Sequence, residues 1–113
     1  MSLDITLVDN RCKCCGRGDN VWEGNITHNL TGMANALGVY GVVWRPEENG
    51  IEAARDLLPR LAEAIDELRN NTEAYVQYEA ENGWGTIGGF LCFLCDYDAA
   101  CIKYPDAVPV ACR

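Results

Sequence analysis

Six apolar residues between Asn49 and Arg69 (Ile51, Ala54, Leu58, Leu61, Ile65 and Leu68) recur at alternating spacings of three and four. Only an α-helix gathers such positions into one stripe, and the stripe must be buried against another element. Asn49 with Glu52 supplies a variant capping box at its start. Pro59 lies inside the pattern and removes a backbone donor, so the spacing predicts a kink or two abutting segments.

Around this helix the periodicity changes. From Leu3 to Val8 polar and apolar positions alternate, with Ile5 and Leu7 on one face and Asp4 and Thr6 on the other, the period of a half-buried strand. Asp9 to Asn20 is a Cys/Gly/Arg/Asp loop, and Val21 to Gly24 reads as a short returning strand that closes a hairpin. Ile26, Leu30, Met33, Ala34 and Leu37 form a second helical stripe, capped by Thr27 or Asn29 and stopped by Gly38. Val39 to Trp44 reads as an apolar link ended by Arg45-Pro46. Thr72 opens a short helix through Tyr78, Thr86 caps a long one through about Lys103, and Ala107 to Cys112 reads as a closing strand. The cheapest topology pairs the terminal strand with the first. The expectation is one α+β domain over residues 1–113, a small antiparallel sheet (N-terminal hairpin plus C-terminal strand) packed against three to four helices.

On the last helix Ile87, Phe90, Leu91, Leu94, Tyr97, Cys101 and Ile102 span the expected apolar face, with Asp98 near its centre. A buried carboxylate without a partner is costly, so Asp98 is expected at a wet edge of a curved or frayed helix. Cys92 points to the solvent side and Cys95 to the flank.

The formal charge of -8 repels phosphate backbones and anionic lipid surfaces, so neither nucleic acid nor membrane is expected as a partner. No apolar run approaches the roughly 20 residues that cross a bilayer. Met1 to Ile5 shows no basic segment followed by an apolar stretch, so no secretory signal is read there. Seven cysteines, an odd count without a leader, suggest a reducing cytoplasmic setting rather than a disulfide framework.

Four ordered motifs carry a resemblance. Asn25-Ile26-Thr27-His28-Asn29, Trp44-Arg45-Pro46-Glu47-Glu48, Asn82-Gly83-Trp84-Gly85, and Cys101 with Lys103-Tyr104-Pro105-Asp106-Ala107 occur in this sequence. Together they resemble a family of small uncharacterised proteins of bacteriophages, prophages and bacterial genomes, whose members often carry a C-x-x-C-G element matched by Cys12 to Gly16. The resemblance spans the chain from about Val21 onward. It implies a viral or mobile-element setting and no mechanism, while Cys92, Cys95 and Asp98 depart from the pattern.

The chemistry-bearing residues admit several readings. Cys12 and Cys15 have the spacing of a zinc knuckle, and Cys14, His28, or Cys92 with Cys95 are the candidates to complete four ligands. Against zinc, Phe-Leu-Cys-Phe-Leu-Cys reads equally well as packed helix in which Cys is a small hydrophobe. His28, the only histidine, is a weak candidate acid or base for a small enzyme. Local capping by Thr27, His28 and Asn29 explains the same polar corner without a substrate. No serine follows Ser2, which removes a serine nucleophile, and no glycine-rich phosphate loop is present. The carboxylates of the Asn49–Arg69 helix form a solvated face; reading them as a DNA mimic is weakened by Arg55, Arg60 and Arg69. The expectation is a small cytoplasmic accessory protein that binds a host or phage protein or a small ligand. Its contact surface is expected to combine Asn25, Thr27, His28, Asn29, Trp44, Arg45, Asn82 and Trp84.

Overall fold

The computed structural model describes residues 2–10, 12, 14, 15, 17–79, 83 and 85–113. The first strand, β1 (Ser2–Asp9), buries Leu3, Ile5 and Leu7 and turns Asp4 and Thr6 outward, as the alternation requires. It runs down the centre of a three-stranded antiparallel sheet of order β2-β1-β3, between β2 (Asp19–Thr27) and β3 (Val108–Cys112). Asp4 stands opposite Asn25 on one side and Cys112 on the other, so the two ends of the chain meet across β1 as expected. A register shift between Leu7 and Val8 sets Leu7 against Trp22 and Val8 against Asn20, leaving Val21 as the extra residue of a bulge.

The helices cover the inner sheet face. A single 3-10 turn, His28–Leu30, leads from β2 into α1 (Thr31–Leu37), which ends at Gly38 with φ of 76°. That left-handed stop suits glycine, whose missing Cβ removes the clash an L side chain meets there. The expected apolar link is a short helix, α2 (Tyr40–Trp44). Pro59 produces the abutting segments: a 3-10 turn over Ala54–Leu57 runs into α3 (Leu58–Asn70) with the proline in the first turn, where no backbone donor is missed. The start of this region is fixed by Asp56, whose carboxylate accepts from the backbone N–H of Glu52 and of Ala53 at 3.1 Å each, rather than by Asn49 with Glu52. After the single turn α4 (Thr72–Tyr75), Thr86 opens α5 (Ile87–Lys103) by accepting from the Gly89 N–H at 3.0 Å.

Helix α5 lies against both β2 and α3, with Leu61, Ala64, Ile65 and Leu68 of α3 and Phe90, Phe93, Leu94, Tyr97 and Cys101 of α5 in one core. The buried face of α5 is rotated from the expected one. Phe93 and Ala100 are inside while Ile102 is 63% exposed, and Asp98 falls half-buried on the flank, at the wet edge expected for it. The cause is Trp22, which stacks on Tyr97 with ring centroids 5.0 Å apart and 4° between planes, and meets Phe93 at 6.3 Å. Its indole lies along β2 over Gly24, in the space a Cβ at that position would fill. Burial alone raises the Asp98 carboxyl above its usual value. The Tyr97 hydroxyl is buried with no hydrogen-bond partner among the described residues.

Candidate functional site

The polar corner is built where β2 stops. Thr27 has extended backbone and its Oγ1 accepts from the Asn29 N–H at 3.2 Å, which turns the strand into the 3-10 segment. Leu30, fully buried, pins that segment to the core and leaves His28 half-buried at the rim. A Cβ at Gly85 (φ 150°) would approach Asn29 Cβ to 3.3 Å and the Leu30 side chain to 3.4 Å. Gly85 therefore lies directly on the corner. Asn82 and Trp84, expected to contribute to the surface, lie outside the described residues.

The decisive contact comes from α2. Trp44 Nε1–H donates to His28 Nδ1 at 3.0 Å. An indole nitrogen can only donate, so Nδ1 must be bare and the imidazole proton of neutral His28 must sit on Nε2. Trp44 itself is 1% exposed, between Tyr40 (centroids 5.5 Å apart, 22°) and Phe90 (6.4 Å, 67°). The expectation that Trp44 offers its ring to a partner is thus corrected. Val42, Val43 and Trp44 are all buried on α2, and what the indole offers is its N–H, passed to the surface through His28.

Arg45 follows Trp44 at the end of α2. Its Nη1 meets Glu48 Oε2 at 2.7 Å and its Nε donates to the Tyr40 hydroxyl at a long 3.4 Å. The Glu48 hydrogen bond, then that of Tyr40, hold the guanidinium firmly charged. Beneath it, Asn49 Nδ2 donates to the Gly41 carbonyl at 3.0 Å and the Arg45 carbonyl at 2.8 Å. Arg113 Nη1 reaches the Trp44 carbonyl at 2.8 Å and Glu47 Oε1 at 2.7 Å, and this bond keeps the Glu47 carboxyl below its usual value. Two internally matched ion pairs, Arg45–Glu48 and Arg113–Glu47, therefore flank the end of α2. The roles of Tyr40, Glu48, Asn49 and Arg113 around Trp44 and Arg45 are not among those expected from the sequence. The aromatic spacing of Tyr40 and Trp44 was a usable signal, whereas nothing around Arg113 was.

Asn25 stands apart from this group. It is a strand residue facing the open side of the sheet, where its Nδ2 donates to Ser2 Oγ at 2.9 Å and Asp4 Oδ1 at 2.7 Å. With Asp4, Thr6 and Glu23 it lines a shallow concavity of about 340 Å³. Alternation along β2 sends Asn25 outward and Ile26 inward, so Asn25 and the His28 ring do not share a surface.

No family model, curated protein or solved structure matches this chain.

The cysteines do not assemble as the four-ligand zinc reading required. Cys12, Cys14, Cys15 and Cys92 are exposed, and Cys95 is half-buried with Arg69 Nη2 3.5 Å from its sulfur. Among the described residues no group of three or more His, Cys, Asp or Glu side chains is placed to hold a metal ion. Cys92 points away from the core because α5 turns Phe90, Phe93, Leu94 and Tyr97 toward the sheet, which separates it from a hairpin set of Cys12 and Cys15. His28 Nδ1, the other candidate ligand atom, is occupied by Trp44. No helix among the described residues is long and apolar enough to cross a membrane.

Proposed function

We propose that this is a small cytoplasmic accessory protein, of the phage or prophage type its motifs resemble, that acts by binding a protein or small ligand at the His28–Arg45 rim. The observation that carries the reading is the Trp44-to-His28 hydrogen bond. A histidine serving as general base needs an unprotonated nitrogen facing the substrate, with its other nitrogen donating to an orienting group. Here the polarity is reversed: the orienting group is itself a donor, and the remaining nitrogen carries the proton. Such an imidazole turns no free lone pair outward and is a well-aimed hydrogen-bond donor. Arg45, 42% exposed at its side chain, adds a fixed cation beside it. The pair suits a partner that presents a carbonyl or carboxylate acceptor. The net charge of -8 favours a protein or small molecule over nucleic acid as that partner.

The test is capture from a bacterial lysate with the immobilised chain, alongside Arg45→Glu, His28→Gln and a remote control, Glu63→Lys on the exposed side of α3. A protein retained by the unaltered chain and the control, and lost from both rim variants, supports the reading. Equal retention by all four, or repeated trials in which neither a protein nor a small molecule is found by mass spectrometry of the eluate, refutes it. Folding of each variant is checked by circular dichroism.

A further inference from the structure

A second concavity, of about 290 Å³, lies between the start of β2 and the C-terminal half of α5. Val21 and Trp22 form its strand wall. Alternation sends consecutive strand residues to opposite faces, and the bulge at Val21 is what lets both line one cleft. Trp22 is held by its nearly parallel stack on Tyr97 and its contact with Phe93, so this wall stands before any ligand arrives. Across from it Asp96, Ala99, Ala100 and Lys103 follow one another at helical spacings that align them in a single stripe of α5. The two alanines leave a trough in the middle of the stripe, with a carboxylate at one end and an ammonium at the other. Among the described residues the ion pairs are Arg45–Glu48, Arg55–Asp106 and Arg113–Glu47, and neither Asp96 nor Lys103 belongs to one. Lys103 Nζ lies instead 5.4 Å from the centroid of the Tyr104 ring, which closes the cleft at that end. We propose that this cleft binds a free dipeptide with apolar side chains, its amine on Asp96, its carboxylate on Lys103 and its side chains against Val21, Trp22 and the two alanines.

Charge and span together select the guest. An apolar slot with one unpaired charge of each sign at its ends complements a small molecule that carries the opposite pair. Seven residues at ~1.5 Å each set Asp96 and Lys103 roughly 10.5 Å apart along the helix axis. A charge-assisted hydrogen bond of ~2.8 Å at each end leaves about 5 Å between the charges of the ligand itself. Two extended residues reach at most ~7 Å, whereas the amine and carboxylate of one amino acid, joined through a single Cα, stand only about 2.5 Å apart. A dipeptide therefore meets both ends of the slot and a free amino acid does not. The volume agrees with this size, since it lies at the lower end of the ~300–1,000 Å³ typical of ligand pockets. Trp22 is separated from Thr27 by roughly 17 Å of strand at ~3.3 Å per residue, so the cleft is distinct from the His28 corner.

Titration of the full chain with alanyl-leucine and with leucyl-alanine, followed at the Trp22 indole N–H by nitrogen–proton NMR, tests the proposal. At least one of the two dipeptides should shift this signal saturably, with one molecule bound per chain. The N-acetylated and C-amidated forms of that dipeptide each lack one end charge and should bind weaker by about threefold or more, a modest loss because both protein charges are exposed. Leucine alone should be weaker by the same margin. Asp96→Asn and Lys103→Gln should each weaken dipeptide binding by about threefold or more, with Glu63→Gln on α3 as the unaffected control. Both substitutions are at exposed positions, and the capped ligands probe the same two charges on the unaltered chain. The proposal is overturned if neither dipeptide gives a saturable shift, or if the shift centres on the Trp44 indole instead. It is equally overturned if leucine or a capped form binds as well as the free dipeptide, or if the two variants lose no more than the control.

Discussion

Truncating His28 to alanine strands a donor inside the protein. Trp44 is 1% exposed and its Nε1–H has His28 Nδ1 as its acceptor at 3.0 Å. A buried donor left without an acceptor costs about 1–3 kcal/mol, and the half-buried ring adds roughly 0.5 kcal/mol of lost packing. Water entering from the rim recovers part of this, so about 2 kcal/mol is expected for His28→Ala. In Trp44→Phe the donor is gone, and His28→Ala on that background costs only the packing share. The double-mutant cycle should return a coupling of about 1–2 kcal/mol. At roughly 4 °C per kcal/mol for a domain of this size, His28→Ala lowers Tm by about 8 °C. Urea unfolding followed by circular dichroism supplies all four corners of the cycle without relying on indole fluorescence. Nitrogen NMR of the imidazole gives an independent check, since it separates the Nε2–H form from the Nδ1–H form. A coupling below about 0.5 kcal/mol, within the ordinary error of additivity, or an Nδ1–H tautomer, refutes the argument.

Three further expectations follow from the packing. Gly24→Ala pushes the Trp22 ring off its stack on Tyr97 and should cost about 1–3 kcal/mol by thermal melting, whereas Gly88→Ala, with open space around it, should not destabilise through a clash. Tyr97→Phe removes a hydroxyl that is buried without a partner, so Tm should hold or rise by the equivalent of about 1 kcal/mol; a marked fall would reveal a partner for that oxygen. Asp98→Asn removes a charge that partial burial disfavours. The folded carboxyl sits above its unfolded value, so the native state gains relative stability as pH falls and loses it as pH rises through the folded value. The variant should therefore be more stable at neutral pH, by less than about 1 kcal/mol because water screens much of the charge, and the advantage should vanish in acid.

Where one periodicity ruled, the sequence was readable. Alternation from Leu3 to Val8 specified β1 and its inward face, and Thr86 and Lys103 bound α5 as expected. The pairing of the closing strand with β1 followed from the order of elements. Ile26 was ambiguous because it fits two periods. Spacing to Leu30 and Met33 placed it on a helix, yet it is the last inward residue of β2, five positions before α1 begins at Thr31. That slip drew Asn25 into the corner when strand alternation sends it to the opposite sheet face. Helical spacing alone also misplaced the buried side of α5, because the rotation depends on where Trp22 lies, a contact between distant segments. Of the expected surface, Trp44 is buried, with His28 bonded to its indole and Arg45 following it in the chain. No local pattern distinguishes an indole that faces water from one that props a neighbouring imidazole.

The central position of β1 has a consequence during synthesis. A ribosome releases this strand and its hairpin partner early, yet one side of β1 stays bare until Val108–Cys112 has cleared the exit tunnel. Through that interval its unfilled backbone groups are a template for any other nascent strand. Stalling before that point would yield an adhesive half-sheet rather than a smaller working domain.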